Sequence, residues 1–177
     1  MCSCMTFGPP GSAGARITDL ATVEKVLDTF KHYGYDELDT ARGYCDGKEE
    51  GFVTEAGWKE RGFKMGTKCY PIKAGGHSAE SLREALETSL RELKTKKLDI
   101  FYLHAPDYTT PLADTVQALD VLYKEGKFDV YGISNFAVIY RRGFCNGSPG
   151  KWLRCAPLRV RGTSFNQRFI KVGMSDI

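Results

Sequence analysis

Asp39, Lys68, His104 and Ser134-Asn135 each stand where an apolar run gives way to a loop, and Tyr44 lies five residues beyond Asp39. A carboxylate, an ammonium, a phenol and an imidazole make a set suited to moving a proton at an oxygen atom. A carbonyl that receives a hydride needs a proton on its oxygen. A free phenol, with a pKa of about 10, is a poor acid–base group at neutral pH. A nearby ammonium favours the phenolate and is expected to lower that pKa. A carboxylate beside the ammonium keeps it charged and in place. An imidazole orients the substrate oxygen or passes the proton. The expected arrangement is Lys68 beside Tyr44, with Asp39 behind and His104 across. Each residue alone has an ordinary explanation: a solvated strand-end lysine, a hydrogen-bonded core histidine, a capping aspartate, a surface tyrosine, and Ser134-Asn135 as a helix N-cap. Their recurrence at the ends of successive strands is what those separate explanations leave unexplained.

The elements that must hold these residues are legible from periodicity. Residues 1–16 are poor in apolar residues, with Met5-Thr6-Phe7 as the end of a short strand and Gly8-Pro9-Pro10-Gly11 as loop. Thr18 is the expected N-cap of a helix carrying Leu20, Val23, Val26, Leu27 and Phe30 at helical spacing, which Gly34 stops. A short strand around Glu37-Leu38-Asp39 precedes a second helix over about 48–60, with Phe52 and Trp58 inward. Phe63–Lys68 alternates as a strand, and Ser78 caps a helix whose stripe is Leu82, Ala85, Leu86, Leu90 and Leu93. Leu98–Leu103 is the most apolar strand. Pro111 opens the next helix, with Val116, Leu119 and Leu122 inward and Gly126 at its end. Val130–Ile133 is a fifth strand. Strand and helix alternating with short loops implies an α/β fold of parallel strands with right-handed crossovers. No Gly-x-Gly-x-x-Gly follows the first strand, which argues against a dinucleotide-binding Rossmann domain. A (β/α) barrel fits better, and such barrels gather their chemistry at the C-terminal strand ends.

The chain has 177 residues, enough for one domain with a sizeable core. Its apolar runs fall far short of the roughly 18 residues a membrane span needs, and no secretory signal is visible. Six cysteines without a Cys-x-x-Cys, and three histidines, argue against a metal site and fit free thiols in a reducing cytosol. Cys45 and Cys69, beside two of the site residues, are expected to be bystanders.

Asp39-Thr40-Ala41-Arg42-Gly43-Tyr44, Gly66-Thr67-Lys68, Tyr102-Leu103-His104-Ala105-Pro106-Asp107 and Gly132-Ile133-Ser134-Asn135 resemble the aldo-keto reductases, nearest to their aflatoxin-aldehyde-reductase-like branch. The resemblance spans about residues 5–138, with four motifs in the family's order. It implies an eight-stranded barrel, here a partial (β/α)8 TIM barrel of about its first five strand–helix units, and NADPH-dependent reduction of aldehydes or ketones. The family's catalytic tetrad falls on Asp39, Tyr44, Lys68 and His104, and its contacts to the nicotinamide carboxamide fall on Ser134 and Asn135. The implied partner is a small-molecule carbonyl substrate, with no nucleic acid, no membrane and a cytoplasmic setting; a homo-oligomer stays open. Which aldehyde or ketone is used is not written in the sequence.

Residues 139–177 break the pattern. They hold eight of the 25 Lys and Arg but one of the 22 Asp and Glu, so the tail is +7 and the front is −4. Helical periodicity stops just after Asn135, where a helix is due, and the family's last strand–helix units, whose loops hold the cofactor phosphates, have no counterpart. The tail is therefore expected to be frameshifted and poorly ordered, and the truncated chain to have little or no activity. The codons support this. Read one base downstream, Gly150-Lys151-Trp152-Leu153 can spell Ala-Asn-Gly-Tyr, and residues 157–162 can spell Pro-Ser-Val-Tyr-Glu-Gly. Both strings resemble the family at this distance past Ser-Asn. The alternative readings are an inactive fragment acting as an interaction module, and a nucleic-acid-binding tail that charge alone favours.

Overall fold

The computed structural model describes residues 1–136 and, beyond them, only the backbone of two short strands at 154–155 and 170–173. Chain order is β1 (Cys2–Ser3), α1 (Leu20–His32), β2 (Glu37–Asp39), α2 (Glu49–Glu55), β3 (Lys64–Cys69), α3 (Ala79–Glu92), β4 (Leu98–Leu103), α4 (Leu112–Lys124), β5 (Phe128–Ile133), β6 (Arg154–Cys155) and β7 (Ile170–Gly173). The sheet runs β1-β2-β3-β4-β5-β7-β6. Its first five strands are parallel, and β7 joins β5 antiparallel, with β6 antiparallel beyond it. Five parallel strands in sequential order with helical crossovers are the opening part of a (β/α)8 barrel. The remainder of the basic tail lies outside the described residues. No helix among the described residues is long and apolar enough to cross a membrane.

Side-chain period builds the core. Leu82, Leu86, Leu90 and Leu93 fall on one face of α3 and are buried against Met65, Phe101 and Leu103 in the same cluster as Leu119 and Leu122 of α4. Ser78 caps α3 as expected, accepting from the Ser81 amide at 3.3 Å. At α1 the cap is one residue later than expected. Asp19, not Thr18, accepts from the Thr22 amide at 2.9 Å, because a carboxylate there meets both that amide and the Thr22 hydroxyl. The first strand also lies earlier than expected. Cys2 and Ser3 pair with Leu38 and Asp39, while the Met5–Phe7 stretch leaves the ladder and Phe7 makes one isolated bridge to Ile17. The second helix is shorter, Glu49–Glu55, although Phe52 and Trp58 are buried as expected.

Register places the strand ends on one rim. Cys69, Leu103 and Ile133 stand side by side across β3, β4 and β5. The ladder then continues one residue into the loops: the His104 amide donates to Cys69 O at 2.8 Å and the Ser134 amide to Leu103 O at 2.8 Å. On the other side the Thr40 amide donates to Gly66 O at 2.9 Å and the Arg42 amide to Lys68 O at 3.1 Å. The backbone just beyond each strand is thus fixed by its neighbour, which gives the side chains there defined positions.

Candidate active site

Lys68 lies at the centre. Its Nζ is 2.7 Å from Asp39 Oδ2, donates to Thr40 O at 2.9 Å and to the Tyr44 hydroxyl at 3.2 Å. Neither Lys68 nor Asp39 has more than 1% of its side chain exposed, so the pair meets away from bulk water. The ammonium also sits 4.9 Å from the Tyr44 ring centroid. His104 meets the same ring edge to face, with centroids 5.6 Å apart. The sequence-assigned quartet of Asp39, Tyr44, Lys68 and His104 therefore comes together, with Lys68 beside Tyr44 and Asp39 on its far side.

The electrostatics depart from expectation at the phenol. Burial pushes the Tyr44 hydroxyl well above its ordinary range, and the charge of Asp39 pushes the same way. The expected lowering by Lys68 does not win because burial and the Asp39 charge outweigh it. Tyr44 is thus held as a neutral phenol, a proton donor. Burial also raises Asp39, against the opposing pull of Lys68. It drives His104 down to about 4, with the Lys68 charge acting in the same direction. The imidazole is therefore uncharged near neutrality, and its Nδ1 has no hydrogen-bond partner among the described residues.

The loop that presents Tyr44 is held from both ends. Cys45 and Asp46 take left-handed conformations, φ 50° and 58°, and turn the chain back on itself. Gly8 lets the loop approach β1's exit: a Cβ there would lie 2.8 Å from Cys45 Cβ. The return leg then inserts two acids that the sequence did not single out. Glu50 accepts from Arg42 Nη1 at 2.5 Å and from Thr67 Oγ1 at 2.6 Å. Glu49 is wholly buried beside it and accepts only from the Ala41 amide, at 3.3 Å, among the described residues. The signal was present, since Glu49 shares helical spacing with buried Phe52, Val53 and Ala56.

Ser134 and Asn135 stand one strand further along. Ser134 is buried, and Asn135, in a left-handed conformation at φ 62°, donates through Nδ2 to His104 O at 2.8 Å and to Ser134 Oγ at 3.2 Å. Among the described residues nothing donates to Asn135 Oδ1, an acceptor. Tyr70 was not foreseen: its half-exposed ring meets His104 edge to face at 5.5 Å, so the imidazole sits against two phenols. Cys45 and Cys69 are buried free thiols, and burial raises both, Cys69 to about 12, which makes them poor nucleophiles. Among the described residues no cluster of His, Cys, Asp and Glu is arranged to hold a metal ion.

Comparison with known proteins finds aldo-keto reductases. An aldo-keto reductase of Pseudocercospora fijiensis is 43% identical over 116 residues, 63% of this chain and 39% of that protein. Aflatoxin B1 aldehyde reductase member 2 of Mus musculus is 42% identical over 128 residues, 70% of this chain and 35% of that one. The chain thus spans well under half the length of these curated relatives. Among solved structures, an aldo/keto reductase from Klebsiella pneumoniae in complex with NADP and acetate superposes with a TM-score of 0.57 at 33% identity, covering 68% of this chain and 40% of that one. The holo form of an aldo-keto reductase from Bacillus halodurans gives a TM-score of 0.69 at 28% identity over 84% of this chain and 49% of its own. The pattern that defines the Aldo/keto reductase family matches residues 5–141, most of the sequence and every strand that carries the quartet, and the chain belongs to that family.

Proposed function

We propose that this chain carries the acid–base half of an NADPH-dependent reductase that converts aldehydes or ketones to alcohols, with Tyr44 as the general acid. One observation carries the reading: a buried ammonium touches Asp39 and the Tyr44 hydroxyl at once, at 2.7 and 3.2 Å, with an uncharged imidazole against the same phenol ring. The relatives named as aldehyde reductases and the NADP-bound neighbour support it. NADPH, when bound, supplies the hydride, and the protein's part is to place and polarise the carbonyl. Tyr44, a neutral phenol, donates its proton to the oxygen that becomes the alcohol. Lys68 stabilises the phenolate left behind, and Asp39 keeps Lys68 in place. His104, neutral, orients the carbonyl oxygen by hydrogen bonding. Ser134 and Asn135 fit the carboxamide of the nicotinamide ring, since Asn135 has an acceptor left for an amide N–H.

Tyr44→Phe in a version carrying the complete barrel tests the reading. It is expected to cost roughly 10²–10⁴-fold in the rate of NADPH oxidation with an aldehyde, the usual contribution of general acid catalysis, and little in NADPH affinity. Near-full turnover would sink it. For these 177 residues alone we infer little turnover, because the relatives' remaining length is not among them. That observation favours a second reading, an inactive fragment serving as an interaction module. Quenching of fluorescence on titration with NADPH separates the two, since the fragment reading requires none.

A further inference from the structure

We propose that Glu49 is a positioning residue for the Lys68–Tyr44 pair, acting through the peptide that joins Thr40 to Ala41. The carbonyl of that peptide receives Lys68 Nζ at 2.9 Å, and the N–H of the same peptide donates to Glu49 Oε2 at 3.3 Å. One rigid plane therefore stands between the ammonium and the buried acid. An acceptor on the N–H polarises the unit and strengthens its carbonyl as an acceptor for Lys68. It also stops the plane from rotating, which would carry Thr40 O away and let the ammonium swing off the phenol.

Glu49 and Glu50 are adjacent, and both are buried, yet their surroundings differ. Glu50 has a guanidinium and a hydroxyl against it. Glu49 Oε1 has no hydrogen-bond partner among the described residues. The groups that act on Glu49 are Glu50 of α2, Asp39 of β2 and Lys68 of β3, and it acts in turn on Cys4, Tyr44 and Cys45. Against burial, the Ala41 amide contact and Lys68 favour a charge on Glu49, and Lys68 is committed to Asp39 at 2.7 Å. Burial, and then Glu50, therefore hold the Glu49 carboxyl well above the ordinary carboxylate range.

The importance of this contact for turnover rests on the reductase reading, but its test does not. In the labelled 177-residue chain, NMR follows the Ala41 amide, the Lys68 amine nitrogen and the Tyr44 phenol carbon in wild type, Glu49→Gln and Glu49→Leu. Glu49→Gln keeps a neutral acceptor of the same shape and should leave the Lys68 and Tyr44 signals in place. Glu49→Leu should move both and speed exchange of the Ala41 amide by roughly tenfold or more. Unmoved Lys68 and Tyr44 signals in Glu49→Leu would reduce Glu49 to packing and overturn the proposal. So would Glu49→Gln moving them as far as Glu49→Leu, which would assign the effect to charge. If circular dichroism shows Glu49→Leu unfolded, the wild-type side-chain carboxyl resonance decides. A side-chain carboxyl titration that the Ala41 amide tracks supports the role, and one that leaves the Ala41 amide unmoved refutes it.

Discussion

Acidification should destabilise this fold through His104 before it does so through any ion pair at the site. Burial and the Lys68 charge bring the imidazole from an ordinary value of 6.5 to about 4. The folded chain therefore holds fewer protons than the unfolded chain between those limits, and stability rises with pH across that window. The fall from 6.5 to about 4 corresponds to a ceiling of about 3.5 kcal/mol at roughly 1.4 kcal/mol per pH unit. His104 is only partly buried, so solvent screening reduces this to about 1–2 kcal/mol. Asp39, Glu49 and Glu50 act oppositely. Their folded values are raised, so their contribution is full below pH 4 and is lost as pH rises through those values. A difference measurement isolates the histidine: urea denaturation of wild type and His104→Gln at half-unit steps from pH 4 to 7.5. The wild type should gain about 1–2 kcal/mol on the variant across the window. Imidazole NMR gives a direct reading, with the signal absent from His104→Gln titrating near 4. Parallel stability curves, or a midpoint at 6 or higher, would refute the neutral-imidazole reasoning and with it the role given to His104.

Lys68→Met should destabilise the chain by about 3–5 kcal/mol in chemical denaturation, because it strands the Asp39 charge in a buried site; Asp39→Asn added to it should recover much of the loss. Gly8→Ala forces a Cβ to within 2.8 Å of the Cys45 side chain, so it should displace the Tyr44 loop and shift the Tyr44 ring signals while the α3 and α4 signals stay fixed. For the tail we propose a shifted reading frame from about residue 139. Sequencing the transcript should show barrel-like codons in the alternative frame, and an uninterrupted native frame through the tail with no such codons downstream would remove the idea.

The quartet was legible because strand ends in a parallel barrel are a fixed geometry. Once β2, β3 and β4 are recognised, the residues just past them must share a rim. Less legible was everything that depends on which charge reaches which first. Lys68 was expected to lower the Tyr44 pKa, but burial and the Asp39 charge outweigh it at the phenol. Glu49 and Glu50 stand at the start of the expected second helix, where solvent usually takes an acid. Their burial accompanies the left-handed turn at Cys45-Asp46, which the Asp46-Gly47 pair hints at but the apolar pattern does not. The displacement of β1 to Cys2–Ser3 was hidden for a similar reason, since strand pairing with Leu38 and Asp39 overrode a weak apolar pattern at Met5–Phe7.

These features divide the work of the site in a way that bears on how much barrel it needs. Asp39, Tyr44, Lys68 and His104 hang on β2, β3 and β4, and the backbone beyond each is pinned by its own neighbour within residues 1–136. Glu49, Glu50 and Arg42 hold the Tyr44 loop from the same set of elements. The proton-handling geometry is thus preorganised by contacts that lie inside the first strand–helix units. Charge stabilisation of the preorganised kind costs no rearrangement during reaction. Ser134 and Asn135 sit at the edge of this region and reach it through the His104 carbonyl and Leu103. On the proposed reading, substitutions at the β2–β4 quartet should act on proton transfer, and those at Ser134 and Asn135 on NADPH affinity.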